Sequence, residues 1–341
     1  MKSVVIDTPG QVRVETLADP TLPGSDGAVV QVSSAAICGS DLHFYEGDYP
    51  LGAPVPLGHE AVGTIVEIGS DVRTFAVGDE VLVSSVAGCG ACAGCETRDP
   101  VMCVGGPRIF GAGALGGAQS ELLAVPAADF QLLRVPQDID TEEALLLTDN
   151  LATGWAAAQR ADFSPGATIV VLGLGAVGLC AVLSAVALGA GTVFAVDPVE
   201  GRRTRAERLG ATPLKPPALQ AVLDSTGGRG AAAVIDAVGS DGSMTDALNL
   251  VRAGGTVSVV GVHNLEPFPF PATISLIRSI TLRMTTAPVQ RTWPELVPLL
   301  QSGRLDVSGI FTHTMPLSEA PAAYTAVAAR AADCVKVALT I

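Results

Sequence analysis

The chain is short of positive charge. Its 341 residues carry 20 Lys+Arg against 34 Asp+Glu, a formal net charge of −14. So acidic a balance argues against nucleic acid or an anionic membrane surface as the main partner. Charged residues make up 16% and apolar residues 48%, which allows a large core and argues against disorder. The chain shows no internal repeat and no low-complexity linker. The opening stretch MKSVVIDTPGQVRVE alternates like a strand and does not read as a signal peptide. Together with seven cysteines, four of them clustered, this gives the expectation of a reducing cytoplasm. From Ala167 to Val196 there is no charged residue at all, a length sufficient to span a bilayer. Gly173, Gly175, Gly178, Gly189 and Gly191 divide that stretch into strand, helix and strand lengths. It therefore reads as a buried parallel-sheet unit rather than a membrane span.

Against these absences, cysteine is concentrated. Cys89, Cys92, Cys95 and Cys103 follow the spacing C-x2-C-x2-C-x7-C. Zinc takes four soft ligands tetrahedrally, and short C-x2-C steps wrap a backbone around one ion. Gly88, Gly90 and Gly94 supply the tight turns. A structural zinc is the leading reading; disulfides and an iron–sulfur cluster are the alternatives.

The length suits two domains. The first half is strand-rich and turn-rich, with runs at Ala28–Val32, Gly63–Ile68 and Glu80–Ser84, and reads as a mostly antiparallel β domain. Helical material opens at Glu142–Leu147 and continues at Trp155–Arg160. From Ala167 short apolar strands (Ile169–Leu172, Thr192–Val196, Ala232–Asp236, Thr256–Val260, Ile280–Met284) alternate with helices (Val177–Ala187, Glu200–Leu209, Ala218–Ser225, Met244–Leu250). That alternation implies a parallel sheet with right-handed crossovers, an α/β class. Helices are expected at Glu295–Leu300 and Leu317–Arg330. A last strand, Val335–Ile341, alternates like the first half and is expected to return to it. The expected boundaries are 1–152 for the first domain, with a metal lobe at 88–104, then 153–286, then 287–341 returning to the first.

Within the second domain, Ile169–Leu172 runs into Gly173-Leu-Gly-Ala-Val-Gly178, a strand followed by G-x-G-x-x-G. Gly173 would make the turn, Gly175 would admit a pyrophosphate and Gly178 would let the helix pack close. The helix start, with Ala176 and Val177, would offer free N–H groups to phosphate. Asp197 lies 19 residues beyond Gly178 and would accept from the adenosine ribose hydroxyls, which favours NAD over NADP. Arg202 and Arg203 follow, suited to flank adenine.

Cys38 in ICGSDLH and His59 with Glu60 in PLGHEAVG add further metal-ligand types. With the cysteine lobe, the glycine motif and Asp197, these motifs resemble the zinc-dependent alcohol dehydrogenases of the medium-chain dehydrogenase/reductase superfamily. The resemblance covers essentially the whole chain. It implies a doubly wound Rossmann domain beside a mostly-β, GroES-like catalytic domain. It also implies two zinc ions per chain, NAD as cofactor, and a homodimer or homotetramer acting on a small alcohol, aldehyde or ketone. Catalytic zinc ligands would be Cys38, His59 and Asp149, the last matching a T/S-D-x-x-x-T-G pattern in LTDNLATG. Glu60 would close the fourth position when substrate is absent. Ser40 and His43 would relay the proton, Asp41 would orient His59, and Thr153 would pack on the nicotinamide. Gly39 stands where some relatives carry a basic residue. Cys180, Cys334 and His263 read as structural. The substrate pocket is expected to draw on Phe44, Tyr45, Leu57, Phe110 and Ala287. Polyol, threonine or formaldehyde dehydrogenase is the near alternative; a non-catalytic zinc- and nucleotide-binding regulator is the distant one.

Overall fold

The computed structural model describes residues 1–51, 54–113, 115–331 and 333–341. Six strands form an all-parallel sheet. Their spatial order is Thr212–Leu214, Thr192–Val196, Thr168–Leu172, Ala231–Asp236, Val251–Val259, Thr281–Met284. This is the doubly wound Rossmann order, which leaves a crevice beyond the carboxyl ends of the central strands. Apolar runs suit this sheet because helices cover both faces. Ile169 and Val171 enter a core with Leu151, Trp155, Leu179 and Val182. Val170 and Leu172 enter another, with Val222, Ala247 and Leu248.

The second large sheet has seven strands built about Ala28–Ile37. Glu60–Ile68 pairs along one edge of that strand. Its other edge is divided: Leu122–Val125 takes Ala28 to Gln31, and Val337–Thr340 takes Ser34 to Ile37. The chain's last strand thus belongs to its first sheet. Among the described residues, no helix is long and apolar enough to cross a membrane.

Some element bounds differ from expectation for local reasons. The helix expected at Glu295–Leu300 begins at Val289 and carries Pro294 and Pro298 inside it, residues that usually end helices. The segment Leu317–Arg330 divides into a 3-10 turn, Leu317–Glu319, and an α-helix, Ala320–Ala328. The two helical segments before the glycine motif extend toward each other as Thr141–Thr148 and Asn150–Arg160, and only Asp149 separates them. Asp140 and Glu143 cap the first in a reciprocal box, each side chain accepting the other's backbone N–H at 2.9 Å. The break at Asp149 (φ −157°, ψ −70°) turns its side chain out of the helix line.

The glycine motif is built as its three residues require. Gly173 has φ +81°, a conformation favouring glycine. A Cβ at Gly178 would stand 1.8 Å from the Gly173 carbonyl oxygen, whereas one at Gly175 would meet nothing within 4 Å. Gly178→Ala is therefore expected to cost about 1–3 kcal/mol of stability, and Gly175→Ala to leave stability unchanged. Chemical denaturation of the two variants checks this; equal midpoints would contradict it.

Candidate metal and dinucleotide sites

Cys38 follows the strand Ala28–Ile37, and His59 with Glu60 opens Glu60–Ile68 beside it. Register pairs Ala36 with Glu60, which brings the two sequence motifs together. Asp149, at the helix break, completes a buried cluster in which ligand atoms of Cys38, His59, Glu60 and Asp149 all lie within 4.8 Å of one another. Cys38 Sγ is 3.6 Å and His59 Nε2 3.8 Å from Asp149 Oδ2. Thiol, imidazole and carboxylate groups gathered in one small space are a donor set that suits zinc.

The surrounding groups aim these ligands. Asp41 is buried, and its Oδ1 lies 3.2 Å from His59 Nδ1, which leaves Nε2 facing the cluster. Asp41 Oδ2 accepts from the Cys38 backbone N–H at 3.0 Å and from Gln119 Nε2 at 3.2 Å. Tyr324, fully buried, donates to Gln119 Oε1 at 2.9 Å. Ser85 Oγ donates to Asp149 Oδ1 at 3.0 Å, and Thr153 Oγ1 approaches the same oxygen at 3.4 Å. Burial pushes the His59 imidazole down, but Asp41 and Cys38 outweigh it and raise it well above the ordinary value. The carboxylates of Asp41, Glu60 and Asp149 make this a space that favours cations.

One such cation belongs to the chain itself. Lys336, 1% exposed, places Nζ 2.5 Å from Glu60 Oε1. Burial pushes this ammonium down, yet Glu60 and Cys38 raise it above the usual lysine range, so it stays charged. Asn150 Nδ2 also donates to Glu60 Oε1, at 3.0 Å, and to Asp149 Oδ2, at 2.8 Å. Glu60 Oε2 has no protein partner although it is buried. A buried carboxylate oxygen without a donor is the atom a metal would satisfy.

Ser40 Oγ lies 3.5 Å from His59 Nε2. His43 sits farther out, its Nδ1 2.7 Å from Asp48 Oδ2.

In the cysteine lobe, Cys89 and Cys95 sulfurs stand 4.0 Å apart and Cys92 and Cys103 sulfurs 3.9 Å. Tetrahedral zinc thiolates imply about 3.8 Å, from bonds of about 2.3 Å. All seven cysteines are free, and these separations exclude the disulfide alternative. Backbone N–H groups, those of Val104 and Cys95, bring Cys92 down to about 6, while burial pushes Cys95 up to about 12. The glycines act differently from expectation. Only Gly90 of the three has a positive φ, +74°. A Cβ at Gly94 would stand 1.7 Å from the Met102 carbonyl oxygen, and one at Gly88 2.7 Å from Cys95 Sγ. Those two positions are glycine because the lobe packs against them.

At the dinucleotide crevice, the helix Ala176–Ala187 starts from Gly175 with no side-chain cap, so Ala176 and Val177 lie in an open first turn. Asp197 is buried; its Oδ2 accepts from the Leu174 N–H and its Oδ1 from the Val199 N–H, both at 2.8 Å. It thus ties the glycine loop to the next strand, and each oxygen keeps acceptor capacity for a ribose hydroxyl. Arg202 Nη2 approaches the Cys334 carbonyl at 3.4 Å, while Arg203 Nη1 donates to the Asp197 carbonyl at 2.7 Å. Asp236, at the end of the neighbouring strand, holds the Val238 and Gly239 N–H groups.

Sequence reasoning missed Lys336, Asn150, Ser85, Gln119 and Tyr324. Lys336 had a signal, a single charge inside the apolar run CVKVALTI. The others carried none. The expected pocket residues Leu57, Phe110 and Ala287 lie instead in three separate packed cores.

A Rossmann sheet joined to a β domain with a buried thiolate, imidazole and carboxylate cluster is the architecture of a metal-dependent dehydrogenase. Residues 24–137 match the alcohol dehydrogenase GroES-like domain, and residues 176–302 match the zinc-binding dehydrogenase family. A probable zinc-binding alcohol dehydrogenase of Mycobacterium tuberculosis H37Rv is 69% identical over 333 residues, covering 98% of this chain and 87% of that protein. Alcohol dehydrogenase TADH from Thermus sp. ATN1 superposes with a TM-score of 0.92 at 35% identity, covering 100% and 99% of the two chains. Zinc-dependent alcohol dehydrogenase 2 from Streptococcus pneumonia, in its apo form, gives 0.92 at 30% identity, covering 100% and 98%. The chain belongs to the zinc-dependent alcohol dehydrogenases of the medium-chain dehydrogenase/reductase superfamily, and is an oxidoreductase of that type.

Lys336→Met would leave Glu60 buried and uncompensated, a change that costs about 3–5 kcal/mol. Lys336→Met/Glu60→Gln is expected to recover most of it in urea unfolding. Equal stability of the single and double variants would contradict the pairing.

Proposed function

We propose that this chain oxidises a small alcohol reversibly to an aldehyde or ketone, passing hydride to NAD, with one catalytic and one structural zinc. The observation that carries the reading is the convergence of Cys38, His59, Glu60 and Asp149 on one buried space. Two helices join that space to the dinucleotide crevice. The helix that Asp149 begins crosses Ala176–Ala187 so closely that a Cβ at Gly154 would stand 2.6 Å from Ala181 N.

Cys38, His59 and Asp149 would hold a zinc ion, which would supply Lewis acidity toward an alcohol oxygen. Ser40, beside His59 Nε2, receives the hydroxyl proton, and His43, at the more open end, releases it to solvent. Thr153 steadies Asp149 and would lie against a bound nicotinamide. Gly173, Gly175, Ala176, Val177 and Gly178 cradle the pyrophosphate, and Asp197 accepts from the ribose. A carboxylate there repels a 2′-phosphate, which favours NAD. Cys89, Cys92, Cys95 and Cys103 hold the structural ion.

The chain also forms a homo-oligomer on this reading. Thr281–Met284 is an edge strand of the parallel sheet, and Ile274, Leu276, Ile277 and Met284 beside it are exposed. Unpaired strand groups next to apolar side chains suit a second copy meeting the same edge.

Zinc per subunit and NADH formation with primary, secondary and polyhydric alcohols test the function. Two zinc ions per chain are expected. Cys38→Ser is expected to lose one zinc and nearly all turnover while staying folded, and unchanged turnover would refute the assignment. Asp197→Ala is expected to lower the preference for NAD over NADP; a wild-type enzyme that prefers NADP would overturn the role of Asp197.

A further inference from the structure

We propose that Asp48 and Tyr49 are positioning residues for the proton relay. Asp48 sets the tautomer of His43, and Tyr49 ties the same ring to the nucleotide-binding domain. The inference rests on the reading of His43 as a relay.

The local chain makes this arrangement. The helix Leu42–Glu46 ends at Gly47 in the left-handed conformation, φ +87°. The reversal there brings Asp48 back to the ring of His43, with Oδ2 2.7 Å from Nδ1. A carboxylate only accepts hydrogen bonds, so Nδ1 carries the hydrogen and Nε2 keeps its lone pair. A neutral imidazole in that state takes a proton on Nε2 without first exchanging one at Nδ1. The side chains are 18% and 35% exposed, shielded enough to hold one geometry and open enough to pass a proton to water.

Tyr49 fixes the ring from its face. Its ring stacks on His43 with centroids 5.1 Å apart and planes at 22°. Its N–H donates to the His43 carbonyl at 3.2 Å. Its hydroxyl crosses to the other domain and donates to the His263 carbonyl at 3.3 Å. His263 follows the strand Val251–Val259, and Asp241 holds its ring at 2.8 Å. The relay imidazole therefore has its edge set by a carboxylate and its face set by a residue anchored across the cleft.

Zinc-loaded enzyme variants test this through kcat and KM for the alcohol and for NAD. Asp48→Asn keeps the size of the side chain, but its amide can donate to Nδ1 and reverse the tautomer. It is expected to lower kcat by about tenfold or more, within the range of a positioned acid–base group, with KM for NAD and zinc content unchanged. Asp48→Glu restores an acceptor and is expected to regain much of the loss. Asp48→Asn combined with His43→Gln is expected to be no slower than His43→Gln alone, because the two act as one unit. Tyr49→Phe keeps the stack, loses the bond to His263, and is expected to lower kcat by a smaller factor.

Wild-type kcat in Asp48→Asn beside a slow His43→Gln would overturn the proposal and leave the relay standing. So would equal losses in Asp48→Asn and Asp48→Glu, the mark of a turn that needs aspartate for its shape. A His43→Gln variant as fast as wild type would instead overturn the relay reading beneath the proposal.

Discussion

Negative charge is collected where water is scarce, and the arrangement around the buried cluster follows from that. Asp41 and Glu60 are almost fully buried, with Cys38, His59 and Asp149 beside them. Anionic groups this close repel each other unless cations stand among them. The protein provides one permanent cation, Lys336, on the final strand of the chain. That strand pairs in the second large sheet, which brings its lysine to Glu60. Its pairing with Ala28–Ile37 thus has an electrostatic consequence as well as a hydrogen-bonded one. The remaining need falls on the orphaned Glu60 Oε2, which a divalent ion would meet.

The same constraint explains why Asp149 interrupts two helices. A residue inside a continuous helix points along that helix's face, and here the neighbours Leu145, Leu146, Leu147 and Leu151 all enter the apolar core. A carboxylate in that pattern would be buried among leucines. The break at Asp149 lets the chain keep its apolar packing on both sides and turn one side chain toward Ser85, Asn150 and the metal ligands. Helix geometry and ligand geometry conflict at this residue, and the ligand prevails.

How far the sequence could be read depends on whether a residue's partner is near in sequence or type. The glycine motif was legible because its demands are local: Gly173 needs a positive φ and Gly178 packs against the Gly173 carbonyl, while Gly175 leaves open space at the helix start. The candidate metal-site residues Cys38 and His59 stood out because the chain has only seven cysteines and four histidines, whereas Asp149, one of 34 acidic residues, was reached only through the resemblance carried by LTDNLATG. Five of the six parallel strands followed from the alternation of apolar strands and helices; the short edge strand Thr212–Leu214, which carries Pro213, did not. What could not be read were polar partners supplied from far away. Gln119 reaches Asp41 across 78 positions, Tyr324 reaches Gln119 across 205, and Lys336 reaches Glu60 across 276. None of these has a type or spacing that names its partner. Leu57 and Phe110 were misjudged for a related reason: apolar side chains near metal ligands in sequence point into the packed cores behind them.

The two metal-type clusters also differ in a way that bears on their roles. In the cysteine lobe four like ligands come from one short segment, glycines are required by contact at Gly88 and Gly94, and backbone N–H groups of Cys89 and Val104 point at sulfur. Such a site is closed by its own chain and leaves no ligand position for a substrate. The buried cluster takes its ligands from three separate segments and borrows its orienting groups from still others. Within it Glu60 shares one oxygen between Lys336 and Asn150 and leaves the other without a protein partner. A carboxylate held on one oxygen can approach or leave an ion with little movement of the backbone. On the proposed reading, chemistry belongs to the site assembled across the fold, and order to the site assembled within one loop.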